Sequence, residues 1–585
     1  MSGNYPASSS SSGRSDLESQ KTIDPVKVSH WRLLVDRPLI TDAVRRHKYN
    51  GSGTDDDPYI VEFLPNDPRN PVNFSKTKKW AITVIVAIAT LAVAFCSSAY
   101  SGGVREIIMQ FRCSQEVATL GISLFVLGFA IGPLFWAPLS ELYGRQILYT
   151  GTYCALTAFA AGCAGAQNIE TLVILRFFAG AFGSSPLTNA GGVISDMFSA
   201  QDRGIATSIF AIAPFMGPVL GPIVGGFVGQ EVGWRWVEGV MAIFAGVVWI
   251  VGTLAVPETY TPFLLRDRAN ALSKETGKVY ISVVEAQSPK KTPSEALKHA
   301  ILRPWALLFL EPIVLALSVY MAIIYGTLYM LFGAFPIVFQ QKLGWSEGVG
   351  GLAFIGVAVG MLFGLAYSIL DGRRYNRVAN KSPNGEAPPE ARLPPCIVAS
   401  LVLPIGLFWF AWTARPSIHW IVPIIASAPF GFGMVLVFLT MINYLVDAYT
   451  IYAASVLAAN SVLRSLFGAA FPLFTQKMYD NLGVSWASSI PAFLAVACVP
   501  FPFLFYKYGG TIRSKCKYAA DAAAVMARMR QSQNPEKAQQ EEDLVVAAPA
   551  EKDEQTPEIG DPLNRNSDSG VHGEPVVEKE GSRES

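Results

Sequence analysis

Charge is scarce in this chain. Only 16% of its 585 residues are Asp, Glu, Lys or Arg, against about 25% in a soluble protein, while 51% are hydrophobic. A water-soluble globule of this size could not hide that much apolar side chain, whereas a bilayer interior is itself an apolar solvent. The net charge of +1 excludes a broad basic field, so no nucleic-acid partner is expected. The seven cysteines are scattered, with no C-x-x-C pair, which argues against a disulfide framework or a zinc site. Most read as small apolar fillers, and Cys516 in Arg513-Ser-Lys-Cys-Lys is a candidate for palmitoylation beside the membrane. The five histidines, His30, His47, His299, His419 and His572, stand apart from one another. Neither H-E-x-x-H nor G-x-S-x-G occurs, and no G-x-x-x-x-G-K-[ST] phosphate loop is present. An enzyme and a nucleotide-driven pump are therefore disfavoured, and no metal or bound cofactor is expected. The first residues are Ser-rich and polar, without the apolar core of a secretory signal.

Long apolar runs take the place of what is missing. A helix needs about 20 mostly apolar residues to cross a 30 Å hydrocarbon core. Runs of that kind lie near residues 81–101, 117–136, 147–166, 171–194, 204–229 and 236–256. A second set lies near 310–339, 348–370, 395–413, 419–446, 451–475 and 486–507. The pattern predicts an all-α polytopic membrane protein built as two six-helix bundles around a central cavity. The predicted divisions are an N-terminal bundle over 80–256, a cytoplasmic central loop over 257–305 and a C-terminal bundle over 306–508. Residues 1–79 and 509–585 read as disordered cytoplasmic tails, since they are polar and poor in aromatics. Lys and Arg near the span ends favour the face carrying both termini by roughly three to one, which places that face in the cytoplasm.

Four stretches carry more than hydropathy. Ala137-Pro-Leu-Ser-Glu-Leu-Tyr-Gly-Arg-Gln146 joins the second and third runs. There Gly144 permits a sharp turn, Glu141 can face a helix N-terminus and Arg145 can anchor a carboxylate. Arg176, in Leu175-Arg-Phe-Phe-Ala-Gly180, is one of few ionisable groups inside an apolar run and must be paired, snorkel or line a cavity. The fifth run holds Gly217, Pro218, Gly221, Pro222, Gly225 and Gly226. Glycines four apart let a neighbouring backbone come close, and the prolines remove helical hydrogen bonds, giving a pivot or a passive packing face. Peripheral landmarks are Asn70-Pro-Val-Asn-Phe74, Gly233-Trp-Arg-Trp236, Pro257-Glu-Thr-Tyr-Thr-Pro262, Arg303-Pro-Trp305, Glu311-Pro-Ile313 and Arg513-Ser-Lys-Cys-Lys-Tyr518. Together, over about residues 57–518, these stretches resemble the major facilitator superfamily, in particular the fungal twelve-span drug:proton antiporters. The loop departs from that family's motif at Ala137, Glu141 and Leu142. Asp371-Gly-Arg-Arg374, after the eighth run, is similar to Glu141–Arg145 after the second and reads as an internal repeat.

The resemblance implies a secondary transporter that exports drugs, toxins or polyamines by proton antiport through alternating access, with the proton gradient as its energy source. Import by proton symport, as for a sugar or nutrient, is the alternative. It also implies that the Glu141 loop latches the two halves near the start of the eleventh span, and that Arg176 belongs to the coupling network. Plasma membrane is the first expectation for location, the vacuolar membrane the second, and a monomer is expected. Polar and aromatic residues within the runs are candidates for the cavity: Tyr325, Tyr329, Phe335, Asn443, Tyr444 and Asn460. Tyr325 and Tyr329 are four apart and share a helix face, a ring surface suited to bulky amphipathic or cationic compounds. Arg464 lies too deep in its run to snorkel and needs a buried partner or a wet cavity. Glu311 is either a titrating carboxylate or a residue favoured at a helix start by the dipole. No mid-span carboxylate presents itself from the sequence.

Overall fold

A computed structural model describes residues 28–198, 202, 206–207, 209–287, 293–382 and 387–533. The remainder of both predicted tails lies outside the described residues. Among the described residues, nine helical stretches are long and apolar enough to cross a membrane. The last, Ile421–Lys515, is 95 residues long and holds three passes. Gly483, at φ 70° and ψ 170°, breaks its central part, Ala453–Cys498. Tyr479 and Ser488 hydrogen-bond across that break at 2.7 Å. Residues nine apart on a straight helix would be about 13 Å apart along the axis, so the chain reverses there. Adding Ala213–Val232, the 20-residue helix of the Gly/Pro run, brings the passes to twelve.

The first bundle comprises α1 (Lys76–Ala99), α2 (Gln115–Tyr143), α3 (Arg145–Ala164), α4 (Ile169–Met197), α5 (Ala213–Val232) and α6 (Trp234–Ala255). The second comprises α7 (Pro312–Phe335), α8 (Phe354–Lys381), α9 (Pro394–Thr413), α10 (Ile421–Tyr449), α11 (453–482) and α12 (484–498, continuing through Pro500–Lys515). Several helices begin where a side chain caps them: Ser75 accepts from Lys78 N, Ser114 from Val117 N and Asn168 from Thr171 N. Both bundles repeat one packing scheme, α1 on α5, α2 on α4 and α3 on α6, then α7 on α11, α8 on α10 and α9 on α12. Small residues permit it. A Cβ on Gly180 would strike the backbone of Phe125, and one on Gly360 would strike that of Ala428. Apolar side chains such as Ile243, Val247, Phe363, Ile405 and Phe493 face outward, which is stable only against lipid. This is a multi-pass membrane protein.

An even number of passes puts Lys76 and Lys515 on one face, called here the terminal face. The expectation of a disordered tail through residue 79 fails from residue 28 onward. Residues 30–35 and 42–46 are helical, and β1 (Tyr59–Val61) pairs in parallel with β2 (Tyr280–Ser282). The polar residues that composition counts toward disorder are buried in ion pairs. Arg268, in the helix Thr261–Thr276, binds the Asp67 carboxylate and donates to Pro38 O at 3.0 Å. Arg69 donates to Arg37 O at 3.0 Å and Glu258 O at 3.2 Å. Burial holds the Arg69 guanidinium down at about 10, even with Glu258 and Asp67 nearby to raise it. The central loop is likewise structured, with helices over Thr261–Thr276 and Pro293–Leu310. Beyond α12 the chain continues as the helix Lys517–Gln533, so the second tail is not disordered from residue 509. Cys516, at that junction, is buried and its thiol is pushed up to about 11 by that burial, a poor nucleophile for acylation.

Candidate functional site

At the α2–α3 turn Gly144 adopts φ 88° and ψ 157°, a conformation nearly closed to other residues. The turn exposes the first amides of α3, and Glu258 fills the position facing them. Its carboxylate accepts from Arg145 N and Gln146 N, both at 3.0 Å, and from Thr259 N and Tyr260 N at 2.9 Å. Arg145 reaches across to Asp196 at the end of α4, Nε to Oδ2 2.7 Å, and its guanidinium lies 4.9 Å from the Tyr260 ring. Glu141 is exposed, close enough to Tyr260 to act on it electrostatically. The second half has a matching set. Arg392, just before α9, pairs with Asp447 near the end of α10 at 2.9 Å, and Glu390 takes Arg513 in a two-pronged pair at 2.9 and 3.0 Å. Asp371–Arg374 is not the structural equivalent of the first loop. Gly372 is helical within α8, and Arg374 pairs with Asp371 on its own helix at 2.6 Å.

On α5, Gly217, Gly221 and Gly225 form one row against α1. A Cβ at these positions would meet Ala94, Ser98 and Ala99 in turn. Gly226 and Pro222 face the other half, where they touch Glu347 and Gly351. Pro218, like Pro222, is buried within the helix. The same helix thus binds tightly inside its own bundle and abuts the opposite one.

Arg176 does not snorkel. It is 1% exposed and donates to Gly121 O at 3.1 Å, Cys96 O at 2.9 Å and Ser97 O at 3.4 Å. Cys96 and Ser97 sit where α1 gives way to a 3-10 turn at Tyr100, so their carbonyls are ones a helix end leaves over. The rings of Phe125 and Tyr100 lie 4.5 and 4.7 Å from the guanidinium. One carboxylate faces this group: Glu238 of α6, 3.7 Å from Arg176 and 1% exposed, with both oxygens lacking a hydrogen bond. Sequence reading missed it because it lies one turn into a span, beside Trp-Arg-Trp, where a carboxylate is ordinary.

Between the halves lies an aromatic cluster. Tyr325 donates to Tyr329 at 3.4 Å, and Tyr329 meets Ser97 Oγ of α1 at 2.8 Å. Ser97 Oγ donates to Ala94 O at 2.6 Å, so the Tyr329 hydroxyl is the donor to it. Phe438 stands 6.2 Å from the Tyr325 ring and 4.9 Å from Phe215 of α5. Arg464 lies over Tyr325 at 5.4 Å and over Phe438 at 6.0 Å. Its Nε is buried without a partner, and no carboxylate among the described residues pairs with it. Ser97, Phe215 and Phe438 carried no signal in the sequence beyond lying in apolar runs.

The other predicted cavity residues sit elsewhere. Phe335 packs on Phe354, Phe339 and Phe410 inside the second bundle, because ten residues along a helix turn it away from Tyr325. Tyr444 stacks toward Phe505, and Asn460 donates to Ser318 Oγ at 3.4 Å, joining α11 to α7. Asn443 is half-buried on α10. Glu311 is fully buried, accepting from Tyr449 OH and Tyr518 N, both at 2.8 Å, so it fastens the start of α7 to the end of α10 and the chain beyond α12. At the face opposite the termini the halves are bolted together by Glu116–Lys477 at 3.3 Å, Arg105–Glu347 at 4.0 Å and Gly348 N to Gln230 Oε1 at 3.1 Å.

This architecture has relatives. Residues 86–472 match the family model described as Major Facilitator Superfamily. The chain is 64% identical over 531 residues to the MFS-type efflux pump MFS2 of Trichophyton rubrum, spanning 91% of this chain and 88% of that protein. It is 64% identical to the Major facilitator superfamily multidrug transporter mdrA of Aspergillus fumigatus, over 88% of this chain and 86% of that one. Among solved structures, the xylose transporter XylE from E. coli in a partially occluded inward open conformation superposes with a TM-score of 0.52 at 18% identity, covering 74% of this chain and 99% of that chain. At that identity the likeness concerns the fold alone. The twelve passes, the repeated packing of the two halves and the extent of these matches agree, and the chain belongs to the Major Facilitator Superfamily, a membrane transporter rather than an enzyme.

Proposed function

We propose that this protein exports small organic compounds across the plasma membrane in exchange for protons, with both termini in the cytoplasm and no bound cofactor. The names of its relatives, efflux pump and multidrug transporter, support export. Proton coupling is carried by one observation: an unbroken line of contacts joins Glu238 to the aromatic cluster. Glu238 faces Arg176 at 3.7 Å, Arg176 holds Ser97 O at 3.4 Å, and Ser97 Oγ accepts from Tyr329 at 2.8 Å. Tyr329 accepts from Tyr325, over which Arg464 lies.

Glu238 suits two states. As an ion it draws on Arg176; as a neutral acid it leaves Arg176 to the carbonyls at the end of α1. Ser97 belongs to that same segment and touches the opposite half, so the position of α1 senses both the proton and whatever lies against Tyr325 and Tyr329. Alternating access then consists of the halves rocking about α5, whose row of glycines fixes it to α1 while Pro222 and Gly226 slide on residues 347–351.

The test is flux in proteoliposomes. With an imposed pH gradient the wild-type protein should drive a fluorescent dye uphill while protons move the other way. Glu238→Gln should abolish gradient-driven movement yet retain dye exchange without a gradient. Uphill transport by that variant at the wild-type rate would remove Glu238 from the mechanism, and dye entry accompanied by protons in the same direction would replace export with symport.

A further inference from the structure

Because Arg464 is a half-buried cation lying over two aromatic rings, its Nε buried without an acceptor and no carboxylate among the described residues paired with it, we infer that the central site takes a flat aromatic compound bearing an anionic group, a carboxylate or an acidic phenolate. This deepens the export reading and rests on it for direction only.

A bare ring wall would favour cations, because the faces of Tyr and Phe are electron-rich. Here that place is taken. The guanidinium of Arg464 already lies 5.4 Å from the Tyr325 ring and 6.0 Å from the Phe438 ring. A second cation would meet the first at close range in a poorly solvated setting, where like charges repel strongly.

Among the described residues, the other arginines that turn into the bundles are provided for. Arg176 has three backbone carbonyls and faces Glu238, while Arg145 has Asp196. Arg464 has no carboxylate within pairing distance among the described residues, and its Nε has no acceptor. Holding an unpaired charge at this depth is costly, so the missing acceptor is the group a ligand would bring. A planar guanidinium binds a carboxylate through two parallel N–H donors, which gives both strength and orientation.

The rest of the cluster fits the remainder of such a ligand. Phe215 and Phe438, from opposite halves, pack on each other at 4.9 Å and supply an apolar ring wall beside Arg464. The hydroxyls of Tyr325 and Tyr329 run in one direction toward Ser97, which leaves the Tyr325 oxygen free to accept from a ligand hydroxyl. An anion seated on Arg464 would touch both halves and so would be released when they part.

Three probes of one shape separate the possibilities: 1-naphthoate, 1-naphthamide and 1-naphthylmethylammonium, titrated calorimetrically into the purified full chain in detergent. Naphthoate should bind at least about tenfold more tightly than either of the others, the scale of one charge-assisted pair. Arg464→Gln should bring the ratio to about one and Arg464→Lys should keep part of it. Thermal melting of the unliganded variants checks that they fold. If Arg464→Gln does not, the wild-type ratio and the Lys variant decide. Equal or tighter binding of the amine, a naphthoate preference that survives Arg464→Gln, or no binding by any of the three would each overturn the assignment. None of these measurements uses a gradient, so a failure of proton exchange in vesicles would leave the binding result standing, and the reverse.

Discussion

At Gly144 two constraints meet. The backbone lies at φ 88°, and a Cβ would collide with the Glu258 carboxylate that caps α3. Gly144→Ala should therefore destabilise the folded protein by about 1–3 kcal/mol, read as a lower melting temperature in detergent. Tyr329 is a link rather than a support. Removing its hydroxyl deprives Ser97 of its donor from the other half and leaves the ring packing intact. Tyr329→Phe should cut gradient-driven export roughly tenfold, within the range of coupling energies between sites, while exchange without a gradient stays near wild type. An equal loss in both assays would mean the hydroxyl serves binding instead. At this scale the sequence was uneven. Tyr325, Tyr329, Arg176 and Arg464 stood out, since their chemistry is foreign to lipid. Glu238 and Glu258 did not, one hidden near a span end and the other in a polar loop, where acids are common. Phe335, Tyr444 and Asn460 have suitable chemistry on the wrong faces, and periodicity cannot say which face of an all-apolar helix looks inward.

The helices themselves were legible because twenty apolar residues have few alternatives. Packing was legible only for α5, where glycines four apart expose a strip of backbone. That the strip lies on α1, with Pro222 and Gly226 turned to the other half, required the structure. Gly221→Leu should drive α5 off α1, since even a Cβ would strike Ser98 Oγ. The expected result is protein that reaches the membrane but transports at less than about a tenth of the wild-type rate, measured by dye flux normalised to surface protein. Normal flux would show that this close approach is not needed for rocking. The reading of 28–79 as disordered failed for a physical reason. Composition counts charges but cannot see that Asp67 and Arg268, 201 residues apart, neutralise each other.

For the molecule as a whole, the named ties between halves at the face opposite the termini define one closed end. Glu116 and Lys477 approach to 3.3 Å there. In a background lacking Cys113 and Cys154, cysteines at 116 and 477 bridged by a short bis-methanethiosulfonate reagent should stop transport, with reductant restoring it. Transport that continues through the cross-link would mean that this end need not open. The repeated halves were legible as six runs and six, and their repeated charge clusters were not. The sequence echo at Asp371–Arg374 pointed eighteen residues too early, because the pairs that matter, Arg392–Asp447 and Glu390–Arg513, join helices far apart in the chain.

The parallel pairing of Tyr59–Val61 with Tyr280–Ser282 bears on biogenesis. A strand made early is held only by one bridge to Asn50 until the ribosome has added more than two hundred further residues and six helices have entered the bilayer. Closure of this clasp therefore marks completion of the first bundle. A nascent chain stalled before residue 280 should leave its leading segment open to protease, and one stalled well beyond it should not.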